Sequence, residues 1–162
     1  MKFSNSEKKV LNRARAIEIT RAARKRGESI VFTNGCFDLL HVGHVHSLEQ
    51  ACRLGDRLVV ALNSDASVQK IKGPNRPVIP LSERMRMIAS LACVDWVISF
   101  RATTPLSIIR DLKPDVLAKG GDWNIDEIVG KDEVESWGGT VKRLSEIRNI
   151  RTSQLIDRIR GQ

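Results

Sequence analysis

Five short β-branched or apolar runs, each followed by a helix-like stretch, predict an α/β fold: a parallel, Rossmann-like sheet flanked by helices, with an extra helix at the N-terminus. Two global features agree with this. A chain of 162 residues suits one compact body and leaves no room for a second full domain, and the formal net charge of +8 is concentrated at one end.

Taken in order, residues 1–26 carry nine Lys or Arg and two Glu, a net of +7, which leaves +1 for the other 136 positions. Val10, Leu11, Ala14 and Ile17 recur at helical spacing, so 1–26 reads as a basic N-terminal helix with a narrow apolar stripe. Packing on the body or on a partner subunit is its plain role; an RNA-binding or membrane-surface helix is the competing one. Residues 27–162 form the domain proper. Its strand candidates are 29–33 (Ser-Ile-Val-Phe-Thr), 57–63, 95–99, 115–118 and 140–144, separated by helical stretches near 44–54, 82–92, 105–112 and 132–137. Thr152 through Ile159 closes the chain as a helix with a hydroxyl cap at its start and Gly161 after its end.

No run approaches membrane-spanning length, no signal peptide is visible, and three cysteines without paired spacing fit a reducing compartment, so a cytoplasmic protein is expected. Cys93 reads as a small core residue. Neither G-x-G-x-x-G nor a G-x-x-x-x-G-K-[ST] loop is present, which disfavours dinucleotide redox chemistry and P-loop hydrolysis, and no Ser-His-Asp or Cys-His arrangement suggests acyl transfer.

The chemistry concentrates in Thr33-Asn34-Gly35-Cys36-Phe37-Asp38-Leu39-Leu40-His41-Val42-Gly43-His44, where the first strand breaks into a turn ahead of a helix. Three residues apart at a helix start, His41 and His44 project to one side, where free backbone N–H groups and the helix dipole attract anions. Gly43 between them presents no side chain to a close-approaching phosphate. The pattern reads as a nucleotide phosphate site acting by stabilising developing charge. All three histidines (His41, His44, His46) fall near Cys36, so zinc is the competing reading. His46, two residues from His44, points elsewhere on a helix, and no further ligand sits at a usual spacing; no metal ligands are assigned.

Three further motifs fall at strand ends or loops, where ligands of open α/β sheets bind. Lys70 and Lys72 precede Gly73-Pro74-Asn75-Arg76-Pro77, a turn-rich loop whose cations suit a triphosphate or leaving pyrophosphate, with Arg76 also able to hold a sugar phosphate. Lys119-Gly120-Gly121-Asp122-Trp123 follows a strand; its glycines permit tight turning beside a ligand, and Trp123 offers a face to a base or else fills a core. Asp38 could accept hydroxyls from a polyol or simply form a turn.

As Gly35, Phe37, Asp38, His41, Gly43 and His44 stand here, G-x-F-D-x-x-H-x-G-H resembles the signature of the cytidylyltransferase-like nucleotidyltransferase superfamily and its HxGH fold. Leu62-Asn63-Ser64-Asp65, the 72–77 loop, Leu91-Ala92-Cys93-Val94-Asp95 and the segment from Val116 to Trp123 resemble its heptose 1-phosphate adenylyltransferase branch in stand-alone form, a similarity covering about residues 28–160. Arg151-Thr152-Ser153 occupies the place of the second signature, R-T-x-G-I-S-[ST]-[ST], in shortened form, leaving open whether Arg148 or Arg151 reaches phosphate. The resemblance implies catalytic roles for His41, His44 and Lys72. It implies nucleotide contacts for Thr33, Asn34, Gly35, Phe37, Gly43, Asn63, Lys119, Gly120, Asp122, Trp123, Arg151, Thr152 and Ser153. Substrate contacts are implied for Asp38, Asp65, Lys70 and Arg76.

The same resemblance implies ATP as co-substrate with Mg²⁺, heptose 1-phosphate as acceptor, and ADP-heptose for lipopolysaccharide or a related surface glycan as product. It also implies a homodimer, no nucleic acid or membrane partner, and a separate heptose kinase and phosphatase upstream. The alternatives are a CTP-dependent enzyme of another alcohol phosphate and a non-enzymatic nucleotide- or RNA-binding module.

Overall fold

The structure, a computed structural model, describes residues 5–121, 124–145, 147 and 152–161. Five parallel strands, β1 (Ile30–Gly35), β2 (Arg57–Asn63), β3 (Trp96–Phe100), β4 (Val116–Gly120) and β5 (Thr140–Leu144), lie in the order β3-β2-β1-β4-β5. The chain builds outward from β1 to β3, then crosses back to add β4 and β5, so the direction of winding reverses between β1 and β4. That reversal opens a crevice beyond their carboxyl ends.

Period-two alternation sends each strand's side chains to two cores. Ile30, Phe32, Val59 and Ala61 face one layer, covered by α1 (Arg13–Lys25), α5 (Leu106–Leu112) and α6 (Lys131–Ser136). Val31, Leu58, Val60 and Leu62 face the other, beneath α2 (Val42–Cys52) and α4 (Leu81–Ser90). Burial on both faces explains why β1 and β2 read as continuous apolar runs, whereas the edge strand β5 buries only Val141 and Leu144. α3 (Asp65–Lys72) and the closing α7 (Thr152–Ile159) flank the carboxyl rim, and two single 3-10 turns stand at Ser6–Lys9 and Ile125–Glu127.

The predicted strands each appear within two residues of their expected bounds; two differences concern helices. Over the described residues 5–26 the N-terminal segment is not one helix: a 3-10 turn at Ser6–Lys9 precedes α1. Asn12 caps α1, its side chain accepting from the Arg15 amide at 2.8 Å, while Val10 bridges Val97 of β3 and the Leu11 N–H donates to the Val97 carbonyl at 2.8 Å. The buried stripe is therefore Ala16, Thr20 and Ala23 rather than one that includes Val10 and Leu11. The basic residues are largely tied down. The Lys9 ammonium donates to the carbonyls of Leu91 and Val94, Arg13 pairs with Asp111, Arg24 donates to the carbonyls of Leu112 and Lys113, and Arg26 pairs with Glu28. α3 is the second difference, since Lys70 and Lys72 lie in its last turn and not in a loop. Its signals are present in the sequence: a Ser64 cap, Asp65 in the first turn and cations at the end. Its single large apolar anchor, Val68, leaves too little periodicity to reveal it.

Candidate active site

Beyond β1 and β4 lies a cavity of about 780 Å³ whose walls come from four separate parts of the sequence. The β1–α2 connection supplies Thr33 through Asp38 with His41, Gly43 and His44. Lys72 and Arg76 enter from the end of α3 and its following loop, Lys119 and Gly120 from the end of β4, and Thr152 and Ser153 from the first turn of α7.

His41 caps α2 in extended geometry without a side-chain cap bond; the His44 amide turns back onto the His41 carbonyl at 2.9 Å, so the first-turn donors left for a ligand are the amides of Val42 and Gly43. Its ring stacks on that of His44, centroids 3.8 Å apart at 24°, and Phe37 tilts against His44 at 5.3 Å. Gly35 makes that packing possible, because a Cβ there would meet the Phe37 ring at 2.9 Å. Phe37 itself holds a φ of 46°, uncommon for a bulky residue. Both Nδ1 atoms are buried without a partner among the described residues. Burial lowers the basicity of His41, and burial together with the neighbouring His41 pushes His44 down to about 4. The free site thus holds two neutral imidazoles with unspent hydrogen-bonding capacity, a state that an anionic ligand would relieve.

Lys119 supplies the opposite wall, its ammonium donating to Asn34 Oδ1 at 3.2 Å; burial depresses its basicity. Lys72, Arg76, Arg84 and Lys119 all act on Cys36, which lines the cavity, yet burial still pushes its thiol up. Such a clustering of cations around a concave site suits a polyanion.

The predicted substrate residues divide. Arg76 borders the cavity, whereas Lys70 is exposed away from it. The Asp38 carboxylate is fully enclosed and already occupied, accepting from Arg76 Nε at 2.6 Å, from the Val78 amide at 2.9 Å and from the Ile79 amide at 2.9 Å. Burial opposes its ionisation, but the two amides and the guanidinium outweigh it and hold the carboxyl below its ordinary range. Asn63 and Asp65 lie behind the wall. Asn63 donates to Ser67 Oγ at 2.9 Å, and Asp65 pairs with Arg84 at 2.7 Å while accepting from the Leu81 amide. Asp122, Trp123, Arg148 and Arg151 lie outside the described residues. His46 turns away from the pair to Ser145, with Nε2 and Oγ 3.4 Å apart, and among the described residues no three metal-binding side chains converge.

Sequence reasoning misses Arg84. It is fully buried and donates to the carbonyls of Cys36, Asn63 (2.9 Å) and Ile79 (2.9 Å) and to Asp65, stitching the ends of β1 and β2 to the loop before α4. Ser47, one turn beyond His44, also lines the cavity opposite Gly120, where a Cβ would meet its Oγ at 3.3 Å. A second, more open depression of about 860 Å³ lies between the first 3-10 turn and α4, where Glu7 and Glu83 leave it without the cationic character of the first.

No helix among the described residues is long and apolar enough to cross a membrane. The bifunctional protein HldE of Pseudomonas entomophila is 52% identical over 155 residues, covering 96% of this chain and 33% of that protein. HldE of Alcanivorax borkumensis is 49% identical over 151 residues, covering 93% and 32%. The chain thus spans about a third of the length of the curated relatives it matches. The crystal structure of the lipopolysaccharide core biosynthesis protein from Thermoplasma volcanium GSS1 is 31% identical and matches with a TM-score of 0.62, covering 76% of this chain and all of that one. Residues 32–159, from the middle of β1 to the last residue of α7, match the cytidylyltransferase-like family model, and the chain belongs to that family.

Proposed function

We propose that the protein is a nucleotidyltransferase that moves AMP from ATP to D-glycero-β-D-manno-heptose 1-phosphate, giving ADP-heptose and pyrophosphate. The observation that carries this reading is the stacked His41–His44 pair at the N-terminus of α2, its Nδ1 atoms without partners among the described residues, lining one cavity with Lys72, Arg76 and Lys119. Choice of adenine and heptose rests on the similarity of the Asn63, 72–77 and 116–123 segments to the heptose branch. Relatives named HldE and a structural neighbour described as a lipopolysaccharide core biosynthesis protein are consistent with it.

An oxygen of the sugar phosphate attacks the α-phosphorus in line, forming the new P–O bond as the bond to the bridging α–β oxygen breaks and pyrophosphate leaves. The acceptor is a phosphate monoester with a second pKa of about 6, so it is already largely ionised and no general base is needed. The imidazole pair and the α2 amides meet charge developing on the α-phosphate, while Lys72 and Lys119 meet the β- and γ-phosphates. Thr152 and Ser153 add hydroxyl contacts. Among the described residues no carboxylate cage converges, so Mg²⁺ would be held chiefly by the nucleotide's own phosphates and would neutralise their charge. We assign the cytoplasm as the site of action, a dimer as the working form, and a kinase and a phosphatase as the sources of the acceptor.

The test is pyrophosphate release with Mg²⁺, crossing ATP and CTP against heptose 1-phosphate, glycerol 3-phosphate and pantetheine phosphate. Release confined to ATP with heptose 1-phosphate is expected. Release with another pair moves the protein to a different branch, and silence in every combination removes the enzyme reading.

A further inference from the structure

Between α3 and α4 the chain runs through Gly73–Pro80 beside the cavity, and two buried charges grip it from opposite sides. Asp38 accepts the Val78 and Ile79 amides, while Arg84 donates to the Ile79 carbonyl. Asp38 also takes Nε of Arg76, whose side chain is only 16% exposed. Neither terminal nitrogen of Arg76 has a partner among the described residues, although the residue borders the cavity. A guanidinium fixed through Nε presents its remaining N–H groups as a fork, the geometry that matches phosphate.

We propose that Asp38 is a positioning residue: it locks the 76–79 backbone and aims the Arg76 fork into the cavity, so that an incoming phosphomonoester meets a pre-oriented arginine. The inference rests on reading the cavity as a nucleotidyl-transfer site, and it assigns Arg76 to the acceptor's phosphate. Asp38 then touches no substrate. A carboxylate with both oxygens occupied is poorly placed to accept a sugar hydroxyl as well. Holding the fork in advance spares the rotamer ordering that binding would otherwise require.

Two measurements on the full chain decide it. Amide hydrogen exchange should show Val78 and Ile79 protected in the wild type and accelerated about tenfold or more in Asp38→Asn, with protection of β1 and β2 retained. In steady-state assays Asp38→Asn should raise KM for the acceptor about tenfold or more while KM for ATP moves less than about threefold. Arg76→Gln should do the same, and the double variant should be no worse than Arg76→Gln alone, because both changes remove one contact. Additive losses in the double variant, or unchanged exchange at Val78 and Ile79, would overturn the proposal and return Asp38 to direct substrate contact or to a plain turn. If the wild type proves inactive with every acceptor, the functional reading fails instead, and the exchange experiment alone still decides the latch.

Discussion

The two ends of the sheet are built on opposite principles. At the amino ends of the strands, polar groups are matched. Asp56 accepts the Ser29 amide and hydroxyl, Asp115 the Ile30 amide and Asp95 the Leu58 amide, and Arg57 joins Glu28 to Asp95. At the carboxyl ends, two histidine nitrogens are buried without partners among the described residues, a lysine is forced into a low-basicity environment, and cations face a cavity across a tight turn. One rim spends its hydrogen bonds on holding strands together; the other is braced by Arg84 and Asp38 but leaves the histidine pair unspent among the described residues. The lesson is that unsatisfied groups, which would count against an ordinary packed region, mark the rim to which the proposed chemistry is assigned.

The largest effect should come from breaking the unspent rim. His44→Ala is expected to lower turnover about 10²-fold or more, since removing one donor to developing charge costs that much elsewhere. Unfolding temperature should fall by only the packing of the lost ring on His41 and Phe37, with the sheet intact, so that the kinetic loss exceeds anything owed to unfolding. Near-normal turnover in both His44→Ala and His41→Ala would remove the contrast between the rims. Lys119→Ala should cost less in turnover, about tenfold, and chiefly raise KM for ATP, read in the same assay.

Acid titration separates the rims without mutation. His44 is pushed from 6.5 to about 4 in the fold, so between those values the unfolded chain binds the proton and the native one does not; stability falls as pH drops through that window. Glu28 behaves in the other range. Hydrogen bonds from Arg57 and Arg26 hold it at about 2 against an ordinary 4.5, so its contribution is intact above 4.5 and fades as pH falls toward 2. Denaturant midpoints measured across pH should therefore decline in two steps. His44→Ala should flatten the upper step and leave the lower one in place, and saturating nucleotide should raise the His44 midpoint in an NMR titration.

What a sequence can disclose depends on how far apart the cooperating residues lie along the chain. The histidine rim is readable because His41, His44, Gly35 and Phe37 lie within ten residues, and local spacing alone puts them at a strand-to-helix junction. The centre of the sheet is readable because two buried faces leave apolar runs in β1 and β2. Arg84 is not, since its partners lie as far as 48 residues away and a charge in Leu-Ser-Glu-Arg-Met-Arg-Met resembles a solvated face. The available hint is that position 84 falls in step with the buried Met85, Ile88 and Ala89. Asp38 reads as a turn or a sugar contact because its tie to the 76–79 segment exists only in the folded chain. For Asn63 and Asp65, family likeness marks the right neighbourhood, but packing puts both behind the cavity wall.

Asp95→Asn should give the smallest effect and is the sharpest control on the contrast. The wild-type carboxylate accepts the Leu58 amide at 2.8 Å and Arg57 at 3.1 Å, at the amino end of β3 and far along the strands from the histidines. Asparagine retains one oxygen, enough for the amide bond but not for the ion pair as well, so the expected loss is about 1 kcal/mol in denaturant unfolding. The part owed to the ion pair should shrink at high salt in the wild type and be absent from the variant. Turnover and both KM values should stay at wild-type levels. A kinetic defect accompanying so small a loss of stability would mean that strain passes along β2 and β3 to the cavity, and that the two rims are one coupled device rather than a foundation and a working edge.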